Sequence, residues 1–164
     1  MTLEEAKTFG RNQALIKTAI AVLVMLLFFF YEQTHGDFAN GILFFLEAIT
    51  SVRFIGILII LFGLTFIFGK RAGKAIMLDG KPFVPIAIKY ALIIVLFITV
   101  PAFVLTIMSG LASTDLQEFT LAFLLGTLFW ILPMLLVWLW ATNRMRVVAK
   151  QSQPTQSADS ATAQ

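Results

Sequence analysis

Four stretches of the chain carry no Asp, Glu, Lys or Arg: residues 18–31, 54–69, 90–108 and 119–141. The hydrocarbon core of a bilayer is roughly 30 Å thick and takes about 20 helical residues to cross. The last two stretches satisfy that length directly, and the first two reach it with their N-terminal flanks. Apolar residues fill both parities of LIILFGLTFIF, whereas a membrane β-strand would alternate apolar with polar positions. Inside hydrocarbon every backbone N–H and C=O must be paired within the protein, and a helix does this within one segment. The pattern predicts an all-α, polytopic integral membrane protein, a four-transmembrane-helix bundle with helices near 14–31, 52–69, 87–109 and 119–141. These form one domain over residues 1–150. The tail QSQPTQSADSATAQ, residues 151–164, is poor in apolar residues and is expected to be disordered in the cytoplasm.

Composition agrees with the pattern. Hydrophobic residues make up 59% of the 164 and charged residues only 13%, about half the charged share of a soluble domain. The sign and position of the charges set the threading. Lys7, Arg11 and Lys17 precede the first run; Lys70, Arg71, Lys74, Lys81 and Lys89 lie between the second and third; Arg144, Arg146 and Lys150 follow the fourth. Of 12 basic residues only Arg53 falls on the other side. The positive-inside rule then puts both termini in the cytoplasm, in a multi-pass protein of the bacterial inner membrane. The N-terminal MTLEEAKTFGRNQALIK resembles the basic region of a signal peptide. However, FFFYEQTHGD offers no small-x-small cleavage site, so an uncleaved anchor is expected.

The run GKRAGKAIMLDGKPF, residues 69–83, reads as the inner turn between the second and third helices. Its Lys70, Arg71, Lys74 and Lys81 should face lipid headgroups. A phosphate-cradling loop of Walker type needs GxxxxGK[ST]. Here Gly69 and Gly73 have three residues between them, Ala75 stands where the Ser/Thr belongs, and no strand precedes. Asp79-Gly80 signals a tight turn, closing a small hairpin at the headgroups. The order of GKR, the DGKP turn and Lys89 entering the next helix resembles the cytoplasmic loop of RDD-family membrane proteins over residues 69–89. That family's Arg and Asp in the first helix have no counterpart in residues 18–31, and membership is not inferred.

Candidate chemistry is sparse. With no cysteine, disulfides and thiolate metal sites are excluded. His35, the single histidine, with Glu32 and Asp37 nearby, makes a weak ligand set, and a solvated loop histidine is expected instead. No metal or other cofactor is expected. Neither HExxH nor Gly-x-Ser-x-Gly occurs, and there is no intramembrane Ser/His pair, so no enzymatic activity is expected. The net charge of +3 follows the inside rule, which leaves nucleic acid without support as a partner.

The polar and kink positions that remain are Glu47, Arg53, Pro101 and Pro133. Glu47 and Arg53 lie in GILFFLEAITSVRFIG. If the second helix begins near Val52, residues 38–49 lie along the outer interface, Glu47 meets water and Arg53 marks the helix entrance. A long tilted helix from Gly41 would instead hold Glu47 inside the membrane. Pro101 and Pro133 each free the carbonyl four residues earlier, at Phe97 and Phe129. Thr99, Thr106 and Thr127 are available to repair the kinks. Lys17 and Lys89 should anchor by snorkelling. Trp138, Trp140 and the aromatic run 28–31 fit interfacial belts, while Trp130 sits mid-membrane without a reason. Gly56 and Gly63 share one helix face, as do Ala14, Thr18 and Ala21, and both sets permit close helix approach, expected as an intramolecular seam rather than a substrate groove. The expected function is non-enzymatic: helix–helix contact with another membrane protein, as an accessory subunit, assembly factor or immunity-type protein, or with copies of itself. The alternative is a small oligomeric transporter or channel, for which Glu47 and the proline-freed carbonyls are the groups to test.

Overall fold

The computed structural model describes residues 1–35, 38–108 and 116–151. Its elements are all helical: α1 Leu3–Thr34, α2 Phe38–Thr50, α3 Val52–Met77, α4 Phe83–Met108 and α5 Leu116–Gln151. Among the described residues three helices are long and apolar enough to cross a membrane: Leu3–Thr34, Val52–Met77 and the Phe83–Val104 part of α4. The 13-residue α2 rises only about 20 Å and is too short to cross. α5, at 36 residues, contains the apolar run 119–141. Residues 109–115 of the expected outer connection, Asp37, and residues 152–164 of the expected tail lie outside the described residues.

Local chemistry places the ends. Thr2 and Glu5 form a capping box at the start of α1. The Thr2 N–H donates to Glu5 Oε2 at 2.7 Å, and the Glu5 N–H donates to Thr2 Oγ1 at 3.3 Å. Ser51 separates α2 from α3. Its backbone is extended (φ −62°, ψ 140°), its hydroxyl accepts from the Phe54 N–H at 3.2 Å, and the same hydroxyl donates to the Ala48 carbonyl at 2.8 Å. One serine thus caps the helix after it and holds the helix before it. At the far end of α3 the chain turns at Gly80, whose φ of +63° suits glycine. There the Lys81 N–H donates back to the Ala75 carbonyl at 2.9 Å. This is a helix-ending turn leading into α4 rather than the small hairpin expected at Asp79-Gly80.

α1 and α3 run antiparallel and nearly touch backbone to backbone. A Cβ on Gly10 would lie 2.5 Å from the Gly69 carbonyl oxygen and 2.5 Å from Gly73 Cα. One on Gly73 would collide with the Ala6 carbonyl, and one on Gly69 would stand 2.9 Å from Arg11 Cα. Ala6, Gly10, Ala14 and Thr18 recur every fourth residue on α1 and are all buried. Thr65, Gly69, Ala72, Gly73 and Ile76 answer them on α3. Small residues are what let helices approach this closely where no water drives them together.

This seam carries both helices beyond their apolar runs. The GKRAGK segment, expected as a turn, is helical. Its small residues keep the 3.6-residue period facing α1, while Arg71 and Lys74 stand exposed. α1 likewise starts eleven residues before the expected boundary at 14, because residues 3–13 are held by the same seam.

The core sits at one end of the molecule. Ala87, Ala91, Ile94 and Val95 of α4 and Met134, Trp138, Ala141 and Met145 of α5 join the buried residues of α1 and α3 there. Phe68, Tyr90 and Trp138 form its aromatic centre. Phe68 stacks on Tyr90 with centroids 4.8 Å apart, and Tyr90 tilts against Trp138 at 5.5 Å. Toward the other end, where α1 reads VLVMLLFFFY, the only fully buried described residue is Gly41. It lets α2 lie against the Gln33 carbonyl, while Phe45 packs on Phe29 and edge-on to Phe30.

Candidate functional site

The packing gathers the basic residues at the core end. Antiparallel contact brings the start of α1 to the end of α3, and the start of α4 meets the end of α5. Four cations there lie over aromatic rings. Lys17 Nζ is 3.7 Å from the Trp140 ring centroid, and Lys70 Nζ is 4.4 Å from that of Phe66. The Arg11 guanidinium stands 5.5 Å over the same Phe66, and that of Arg146 stands 5.1 Å over Phe83. In each pair the charged group itself stands over the ring face, a cation–π contact. Lys89 is exposed on α4. Of the expected headgroup-facing set, Lys70, Arg71 and Lys74 ride on the last turns of α3, and only Lys81 lies in the turn itself.

Glu47 and Arg53 fall on different helices, on either side of the Ser51 break. Both are exposed, and neither makes an ion pair among the described residues. His35 ends α1, exposed, with its ring edge-on to Tyr31 at 5.4 Å. Among the described residues no group of His, Asp and Glu could hold a metal ion. Pro101 and Pro133 both lie inside continuous helices. Thr99 and Thr127 do not repair them: their hydroxyls donate to the carbonyls of Val95 and Phe123, each at 2.9 Å. The side chains of Thr106 and Trp130 lie outside the described residues.

Two features were not anticipated. The first is a set of buried polar atoms. Among the described residues, Thr18 Oγ1, Thr65 Oγ1 and Trp138 Nε1 have no hydrogen-bond partner. Thr142, by contrast, is equally buried but donates to the Trp138 carbonyl at 2.6 Å. Nothing in a linear reading separates Thr65 from Thr142, because the difference lies in rotamer and neighbours.

The second is the state of the glycine face on α3. A Cβ at Gly56 or Gly63 meets nothing within 4 Å. At 100° per residue, Gly56, Ile60, Gly63 and Ile67 lie on one face, roughly opposite Thr65 and Ala72 in the α1 seam. Ile60 is 46% and Ile67 47% exposed, so among the described residues nothing covers this face, and the intramolecular seam expected at Gly56 and Gly63 is not formed. The seam that the molecule uses internally is instead Gly10–Gly69–Gly73. Its signal was present as the four-residue spacing of Ala6, Gly10, Ala14 and Thr18, of which the small-residue face expected on the first helix covers Ala14 and Thr18, while Ala6 and Gly10 lie before the apolar run.

Set against known protein families, curated proteins and solved structures, the chain matches none.

Proposed function

We propose that this is a non-enzymatic, four-span protein of the inner membrane, with both termini in the cytoplasm, that works by helix-face contact with another membrane protein. In this reading α5 is the fourth span and α2 lies at the outer interface. The observation that carries it is the uncovered Gly56–Ile60–Gly63–Ile67 face. It has two notches in an apolar ridge at membrane depth, the form that admits a second helix at close range. Its position opposite the α1 seam leaves it available without any rearrangement of the chain. The distribution of charge supports the same reading: the described apolar faces present no ionisable group that would mark a conduction path.

The test places a photo-crosslinking residue at Ile60 in native membranes. A single discrete protein adduct is expected. It should vanish in the Gly56→Leu, Gly63→Leu double variant, while the melting temperature in detergent stays unchanged because both new side chains enter open space. Adducts to lipid alone at Ile60 would end the reading.

A further inference from the structure

Where the turn after α3 meets the last turns of α5 there is a half-open cleft of about 410 Å³. Ile76, Met77, Phe83 and Val84 give it an apolar floor, and Lys81, Arg146 and Lys150 stand around it. None of its lining residues is acidic. The three cations come from two distant parts of the chain and are brought together only by the fold. Arg146 is held over the Phe83 ring at 5.1 Å, which fixes the guanidinium beside the floor and leaves its N–H fork available. Lys81 reaches Asp79 only at 3.9 Å and is mostly exposed, so its ammonium is not consumed by that pair.

We propose that this cleft binds the phosphate of an anionic phospholipid. A planar guanidinium and two ammonium groups suit a phosphate diester, which accepts bidentate and point-charge donors. The apolar floor suits the glycerol and the first methylenes of the chains, a combination that a free anion does not need. The cleft lies at the end of the molecule that carries the basic residues, where the headgroups of the facing leaflet would be. Lys70, Arg71 and Lys74 are equally basic but do not line it. The proposal therefore differs from a diffuse attraction of positive charge to a negative membrane. It rests on bilayer embedding and stands apart from the helix-contact reading above.

The experiment uses the full chain in phosphatidylcholine nanodiscs, exchanged with phosphatidylglycerol, with retained lipid counted by native mass spectrometry. Two triple variants carry the same loss of charge: Lys81→Gln, Arg146→Gln, Lys150→Gln in one, and Lys70→Gln, Arg71→Gln, Lys74→Gln in the other. All six side chains lie at the surface or rim, and circular dichroism checks that both variants stay helical. The expected result is selective retention of phosphatidylglycerol by the wild type. The first variant should lose it by a factor on the order of a hundred, since three basic groups each worth about fivefold near a charged headgroup are removed from the phosphate, and the second should keep most of it. Equal losses in the two variants would show diffuse attraction and overturn the site. Displacement of the lipid by millimolar glycerol 3-phosphate would show a soluble phosphate ligand and overturn the lipid assignment.

Discussion

Among single residues, the most informative contrast is between two threonines. Thr65 and Thr142 are both fully buried, yet only Thr142 donates its hydroxyl, to the Trp138 carbonyl at 2.6 Å. A buried polar group without a partner costs about 1–3 kcal/mol, while a satisfied one is near neutral or favourable. Thr65→Val removes an uncompensated hydroxyl at nearly constant shape, and is expected to stabilise the protein by about 1 kcal/mol. Thr142→Val should leave stability unchanged or lower it. Thermal unfolding of the two variants in one detergent decides the matter, and a destabilised Thr65→Val would show that the hydroxyl has a partner in the folded protein. Glu47 and Arg53 teach a related lesson. Their types and positions were plain in the sequence, but which helix each joins depended on Ser51, whose double hydrogen bond at the α2–α3 break is a matter of backbone geometry.

For the helices, the legible part of the sequence was the part that hydrocarbon governs. The apolar bodies of α1, α3 and α4 follow from runs without charge, whereas the start of α3 at Val52 is set by the Ser51 cap. What the runs hid was continuation past their ends. A hydropathy reading stops at Lys70, yet α3 continues to Met77 because Gly69, Ala72 and Gly73 keep facing Ala6 and Gly10. The charged residues occupy the other faces. The two glycine sets on α3 therefore predict opposite outcomes. Gly73→Val would drive side-chain atoms into the Ala6 carbonyl and Gly10 Cα, which are backbone and cannot swing away. It should cost about 1–3 kcal/mol or more and lower the melting temperature measurably. Gly63→Val meets open space and should leave it unchanged. A comparable drop in both would mean that the Gly63 face is also packed within one chain.

Among the described residues the molecule is tight at one end and open at the other, and its charge follows the same axis. Small residues at Ala6, Gly10, Ala14, Ala72, Ala87, Ala91 and Ala141 let four helices close around Trp138. Bulky Leu, Ile and Phe side chains line the opposite halves, which stay exposed to whatever surrounds them. The closed end carries Lys7, Arg11, Lys17, Lys70, Arg71, Lys74, Lys81, Lys89, Arg144, Arg146 and Lys150, whereas the open end has Arg53 with Glu32 and Glu47. Basic residues close to span ends resist translocation, so the closed end is expected to face the cytoplasm and the open end the far side. Reporter fusions at Asp79 and after Gln164 should then be active only as cytoplasmic reporters, and fusions at Asp37 and Asp115 only as external ones. Because the chain has no cysteine of its own, the same assignment can be checked without fusions. A cysteine at Glu47 should react with a membrane-impermeant thiol reagent in intact cells, and one at Lys81 should react only after lysis. Labelling at both in intact cells would show that the two positions do not lie on opposite sides, and labelling at 81 alone would invert the threading. With the threading inverted, the cleft beside Arg146 would face the outer leaflet.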